Sequence, residues 1–241
     1  MEPTQKAALA ILANIEATYK PVHDYVAADP QKFRHLDLQF YERTARLLSA
    51  KGFRHLADLE DRTITNAPGT VLMPVLIRAL VSKDGTIMSA LYHPRIGKLV
   101  LRILLWVMRT LPKPVVDMET ECSDGTFVVT SNAASAAAID LPALISARYL
   151  AAGTSVHEVH QEHVARLRAH LAERPGVTPL VVGTHQEMLA SQHRMNAIKA
   201  AHRGEVGGIT REELDRLAKF GKGLVPAVHE EIRNEQLRRA G

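Results

Sequence analysis

Residues 117–132 read DMETECSDGTFVVTSN, with acids at 117, 119 and 121, an Asp-Gly pair at 124–125 and a Thr-Ser-Asn ending. Two readings compete. Carboxylates and hydroxyls at this density suit a metal or a nucleophile, whereas alternation on both sides of Asp-Gly suits a hairpin. Asp-Gly is favoured in two-residue hairpin loops because a type I′ turn needs positive φ at both central positions. A turn centred there sets Cys122 against Phe127, Thr120 against Val129 and Met118 against Ser131, a mostly apolar face that should look into the core. The opposite face carries Asp117, Glu119 and Glu121 and is expected to be solvated, or paired to the cations just upstream. Carboxylates two positions apart on a strand lie roughly 6–7 Å from one another. That spacing is close to the retaining-glycosidase separation, but any alternating acidic strand has it.

Upstream, VLIRALVSKDGTIMSALYH (75–93) repeats the theme, with β-rich runs on either side of Asp-Gly-Thr. With a strand at 53–60, the two hairpins predict an antiparallel sheet of about five strands. Before the sheet, 4–19 and about 30–50 carry helical spacing, and Gly52 stops the second pattern. After Pro142 the pattern is helical near 154–173, 185–202 and 210–237. Ser155 with Glu158, and Thr210 with Glu213, have capping-box spacing. The class expected is α+β, in one domain: N-terminal helices over 1–52, a sheet over 53–133 and a helical lobe over 142–241.

Composition narrows function only broadly. The 241 residues are 46% hydrophobic and 23% charged, as in an ordinary globular protein, and only 5% aromatic. A net charge of +4 is spread among almost as many acids as bases, and no zinc-finger spacing or arginine-rich tail appears, which argues against nucleic acid as a partner. One cysteine, Cys122, excludes an internal disulfide and fits a reducing compartment. The N-terminal stretch lacks a basic n-region and a cleavage site, so it reads as a helix and places the protein in the cytoplasm.

The unusual segment is HPRIGKLVLRILLWVMRTLPKP (93–114), inserted between the hairpins and holding the only tryptophan. As a helix it would place Lys98, Arg102 and Arg109 within about 40° of one another, a cationic stripe on an apolar cylinder with Trp106. It is too short and too charged to span a bilayer. One reading packs it on the sheet as a crossover helix. The other presents 97–110 to a protein partner or to the inner-membrane surface, with its cations reaching the head groups.

Four of the twelve histidines fall in TSVHEVHQEHVARLRAHLAER (154–174). His160, His163 and His170 share an arc of about 80° with the apolar residues. His160 and His163, three apart, have the spacing of a metal pair awaiting a carboxylate, although the pattern is not HExxH. Inward histidines are more often hydrogen-bonded core residues. No phosphate loop, dinucleotide fingerprint or nucleophile elbow occurs. Cys122 inside a strand reads as a small apolar residue.

The succession LLSAKGFRHLADLE, IRALVSKDGTIMSALYH, VDMETECSDGTFVVTSNA and GTSVHEVHQEHVARL resembles an uncharacterised bacterial protein family. In that family a GFxxLxD strand precedes Asp-Gly hairpins and a Thr-Ser-Asn ending. The resemblance covers about residues 45–170, implies the hairpins and a bacterial origin, and carries no catalytic residue with it. Immunity and adaptor proteins for secreted toxins are among small bacterial proteins of this sort. The leading expectation is therefore a non-catalytic, protein-binding role of adaptor or immunity type, without a cofactor. Its contacts would be Lys98, Arg102, Trp106 and Arg109 together with Asp117, Glu119 and Glu121. The alternative is a metal-assisted hydrolase that holds a divalent ion on His160 and His163 with acids from the hairpin.

Overall fold

Both Asp-Gly-Thr signatures end hairpins, but neither forms a type I′ turn. The computed structural model describes residues 2–67, 70–97, 111–218 and 222–240. In the first hairpin, strands β3 (Leu76–Val81) and β4 (Met88–Tyr92) are joined by a turn in which the Gly85 N–H donates to the Ser82 carbonyl at 2.9 Å. In the second, β5 (Val115–Glu121) and β6 (Phe127–Ser131) are joined by a turn in which the Gly125 N–H donates to the Cys122 carbonyl at 3.0 Å. Glycine thus takes the last position of each turn, at φ 77° and 80°, where a side chain would be strained. The aspartate before it uses its carboxylate to accept the N–H of the following threonine, Asp84 from Thr86 at 3.2 Å and Asp124 from Thr126 at 3.1 Å. The second loop therefore holds three residues. Its register moves by one from the sequence expectation, so that Glu121 faces Phe127, Glu119 faces Val129 and Asp117 faces Ser131.

Among the described residues there are seven α-helices and a mixed seven-stranded sheet in sequential order, two strands more than expected. β2 (Arg54–Asp61) is the anticipated first strand, and the short β1 (Tyr25–Ala27) pairs antiparallel with it. The other addition is β7 (Ile145–Tyr149), which runs parallel to β6 and makes the sheet mixed rather than purely antiparallel. It lies in the region read as helical from its residue types.

Alternation assigns the faces, and helices cover both. On one side α2 (Leu38–Ser49) and α4 (Val156–Ala172) bury the main core, where Tyr41 and Leu48 meet Leu76, Leu80, Leu91, Met118 and Val128. Asp37 caps α2, and Ser155 with Glu158 forms the anticipated capping box on α4. On the other side α5 (His185–Glu205) lays Met188 and Met195 over Leu59, Val81, Met88, Phe127 and Ile145. Thr184 and Glu187 give α5 a capping box of its own.

The helices after Pro142 therefore do not form one lobe beside the sheet, because α4 and α5 lie on its opposite faces. A smaller apolar cluster joins α1 (Pro3–Thr18) to α6 (Arg211–Leu217) and α7 (Val225–Ala240) through Leu12, Ile15, Leu214, Val228 and Ile232. The last helical pattern thus divides in two. α3 (Arg62–Thr65) is a single turn after β2, capped by Asp61. No helix among the described residues is long and apolar enough to cross a membrane.

Candidate functional site

The acids of the opening stretch are not on a solvated surface. β5 directs Asp117, Glu119 and Glu121 to the face that α5 covers, and α5 supplies their partners. Arg194 grips Glu121 with two hydrogen bonds of 2.6 and 2.8 Å, and Glu121 is buried. Gln192 donates to Glu119, and the Lys199 ammonium stands near enough to favour ionisation of both Asp117 and Glu119. The basic partner expected for this face is thus in the same chain, far downstream in sequence. The Lys98, Arg102 and Arg109 pairing expected from upstream lies outside the described residues, as does Trp106.

Tyr92 on β4 donates to Asp117 at 2.7 Å. Burial is the largest influence on both Asp117 and Glu119 and holds their carboxyls above the usual carboxylate range. Burial likewise pushes the Tyr92, Tyr149 and Tyr25 phenols up. Yet Tyr92, Asp117, Glu119, Tyr149, Gln192 and Lys199 are each only half-buried. These groups form a polar layer between β4–β7 and α5. Gln192, Asn196 and Lys199 recur at helical spacing and share the wall of α5 that faces the acids. At one end Tyr25 stacks between His23 and His193, with ring centroids 5.7 and 6.4 Å away, and His23 bonds Asp61 at 2.6 Å.

The histidines of α4 stand on the opposite face of the sheet. His163 is fully buried, with Nε2 3.0 Å from the Thr120 hydroxyl and Nδ1 3.2 Å from that of Thr130. Thr120 donates its own proton to the Thr86 carbonyl, so His163 Nε2–H is the donor to Thr120. Arg166 donates to Thr130, which turns the Thr130 hydroxyl proton toward His163 Nδ1. Both ring nitrogens of a neutral imidazole are thereby used, and burial lowers its pKa to about 3. His160 packs edge-on against Phe53 at 5.7 Å. Because Thr120 points to His163 while Glu119 and Glu121 point to α5, the sheet itself separates His160 and His163 from the acids meant to complete their metal site.

One other group among the described residues has metal-ligand proximity: Cys122, Asp124 and His170, whose ligand atoms all lie within 4.8 Å of one another. Hydrogen bonds already engage Asp124 Oδ1 and both ring nitrogens of His170. The Thr126 hydroxyl donates to Asp124 at 2.7 Å and accepts from His170 Nε2 at 2.8 Å, while Arg174 approaches His170 Nδ1 at 3.2 Å. Burial pushes the Cys122 thiol up, and the nearby Arg174 guanidinium opposes a second cation. This is a polar fastening of α4 to the hairpin.

The fold is that of an α+β protein with a mixed sheet clasped between helices and a polar layer under one of them. No protein-family model, curated protein or solved structure matches the chain. The polar layer was half legible in sequence. Alternation put the three acids on one face, but nothing local tied them to Gln192, Arg194 and Lys199.

Proposed function

We propose that the protein acts by binding a protein partner, in the manner of an adaptor or immunity protein, and that the basic apolar insertion supplies the contact. One observation carries this reading. β4 and β5 are immediate antiparallel neighbours, paired from Met88 with Glu119 to Tyr92 with Val115. Such neighbours need a loop of about two to five residues. The sequence instead spends residues 93–114 there, and both faces of the sheet already have helices of their own. A connection much longer than its strands require, rich in apolar residues and carrying Lys98, Arg102, Trp106 and Arg109, is suited to an external contact. The acids Asp117, Glu119 and Glu121 belong to the interior and drop out of that contact. The histidines of α4 serve packing, which favours binding over hydrolysis.

Two variants test this. The first replaces residues 98–110 by a short Gly-Ser linker, which keeps the pairing of Arg95 and Gly97 with Met73 and Val71, and the second reverses the charges at Lys98, Arg102 and Arg109 to Glu. Both are expected to keep the wild-type circular dichroism. Both should lose the proteins that the full chain captures from its own cells, as read by quantitative mass spectrometry. Capture unchanged in the charge-reversed protein contradicts the reading. A parallel sedimentation with anionic vesicles separates a lipid surface from a protein contact.

A further inference from the structure

We propose that the outer edge of β7 takes up an acidic segment of a partner protein as an added strand. This edge is separate from the insertion, and the proposal does not rest on the contact assigned there. β7 closes the sheet on one side, with β6 as its neighbour. The Phe127 N–H donates to the Leu144 carbonyl and the Leu150 N–H to the Ser131 carbonyl, at 2.8 and 2.7 Å. Phe127, Val129 and Ser131 stand in register with Ile145, Ala147 and Tyr149, so the parallel ladder engages the backbone of residues 144, 146, 148 and 150. The backbone groups of Ile145, Ala147 and Tyr149 therefore point away from the sheet. The Ile145 N–H turns back to the Pro142 carbonyl at 2.9 Å. Among the described residues, no partner meets the N–H groups of Ala147 and Tyr149 or the carbonyls of Ile145 and Ala147. An edge of this kind is a template for one more strand.

Charge selects the occupant. Ser146 and Arg148 project to the α4 face of the strand, and both are exposed. Arg166 of α4 reaches over the same strand and donates to the Val129 and Ser146 carbonyls and to the Thr130 and Ser146 hydroxyls, all of them neutral. Among the described residues neither guanidinium has a carboxylate at ion-pair distance. Glu162 favours the charge on Arg166 from further off, and Arg148 opposes it. Two cations without an ion pair thus stand beside free backbone groups, and an incoming strand with acids at alternate positions satisfies both. Its other face brings apolar residues beside Ile145 and Ala147, which pack toward Met195 and Ile198 of α5. A second copy of the chain fits poorly. Antiparallel pairing about Ala147 sets Arg148 of each copy against Ser146 of the other, where Arg166 already stands, so like charges crowd the seam.

The test is fluorescence anisotropy of a labelled, end-capped peptide of alternating glutamate and valine, titrated with the full chain. Saturable one-to-one binding is expected, about tenfold or more tighter than that of the matching lysine and valine peptide. Two further glutamate peptides, N-methylated at alternate amides in the two possible phases, separate an added strand from a charge contact. One should lose binding and the other keep it, because only alternate amides of an added strand face β7. Arg148→Glu, an exposed change, should weaken the glutamate peptide about tenfold or more and favour the lysine peptide. Ala147→Pro removes the outward donor without touching a bond to β6, and should weaken binding while circular dichroism stays native. Absence of saturable binding of the glutamate peptide up to about 1 mM protein overturns the proposal. So does binding that Arg148→Glu leaves unchanged, or that both methylated peptides retain. Neither result bears on partner capture through the insertion, whose variants leave β7 intact.

Discussion

Replacing Arg203 by leucine is expected to destabilise the protein by about 3–5 kcal/mol, the usual cost of stripping one partner from a buried ion pair. Arg203 and Glu213 are 5% and 0% exposed and meet at 2.7 and 2.9 Å. Burial alone would raise the Glu213 pKa. The Thr210 and Asp140 N–H groups and the Arg203 guanidinium outweigh it and hold the carboxyl below its ordinary range. Arg203 also donates to the Asp140 carbonyl at 2.6 Å and lies over the Tyr19 ring. One pair thus ties together α1, α5, the capping box of α6 and the crossover from β6 to β7. Leucine would leave Glu213 charged and desolvated at that junction, or neutral and without its cation. In a chain of this size the loss corresponds to a fall of roughly 10 °C in Tm. Arg203→Leu combined with Glu213→Gln should recover part of it, because the bare charge is gone while the backbone donors keep an acceptor. Urea and thermal unfolding of the three proteins measure this, and a single-mutant loss below about 1 kcal/mol would contradict the account.

Acid should remove a comparable amount of stability through His163. Its folded pKa is about 3, against an ordinary value of 6.5. The unfolded chain therefore takes up a proton that the folded chain refuses. The contribution is complete above pH 6.5, falls as the pH drops and is lost by about pH 3. The gap corresponds to roughly 5 kcal/mol at its limit. His160 and His170, also lowered by burial, act in the same direction. Asp117 and Glu119 oppose it, because their raised pKa values make protonation in the folded state favourable as the pH falls. The His163 share is isolated as the difference between wild type and His163→Gln, which keeps a donor and an acceptor for Thr120 and Thr130. The variant should be less stable at pH 7 and show a distinctly flatter loss between pH 6.5 and 4. Parallel curves for the two proteins would show that His163 does not carry the acid limb.

What could be read in the sequence follows from how local each signal is. Asp-Gly-Thr closes a loop within a few residues, so both hairpins were legible. The register of the second was not, because a turn between Cys122 and Gly125 and one centred on Asp124-Gly125 use the same residues. Ser155 with Glu158 and Thr210 with Glu213 announced two helix starts, and Thr184 with Glu187 had the same signature for a third. The break between α6 and α7 was marked by Gly221, Gly223 and Pro226 inside a segment read as one helix. β7 had weak marks: Ile145, Ala147 and Tyr149 alternate, but its order depends on pairing with β6 rather than on its own residues. Alternation along β5 sorted its side chains into the right two faces. It carried no information about what covers each face, and so the acids were expected in water when they lie under α5. For the histidines, the expected inward arc is where His163 and His170 are found, bonded to threonines of the sheet.

The central claim is that the insertion meets a partner while the sheet holds the fold. Trp106, the only tryptophan, lies in that insertion, so fluorescence excited at the red edge, where tyrosine does not absorb, reports on it alone. Titrating the full chain with the partner recovered by capture, prepared with its own tryptophans replaced, is predicted to move the Trp106 emission to shorter wavelength and protect it from iodide, saturating at the binding stoichiometry. Emission and quenching that stay unchanged while the complex forms would contradict the claim.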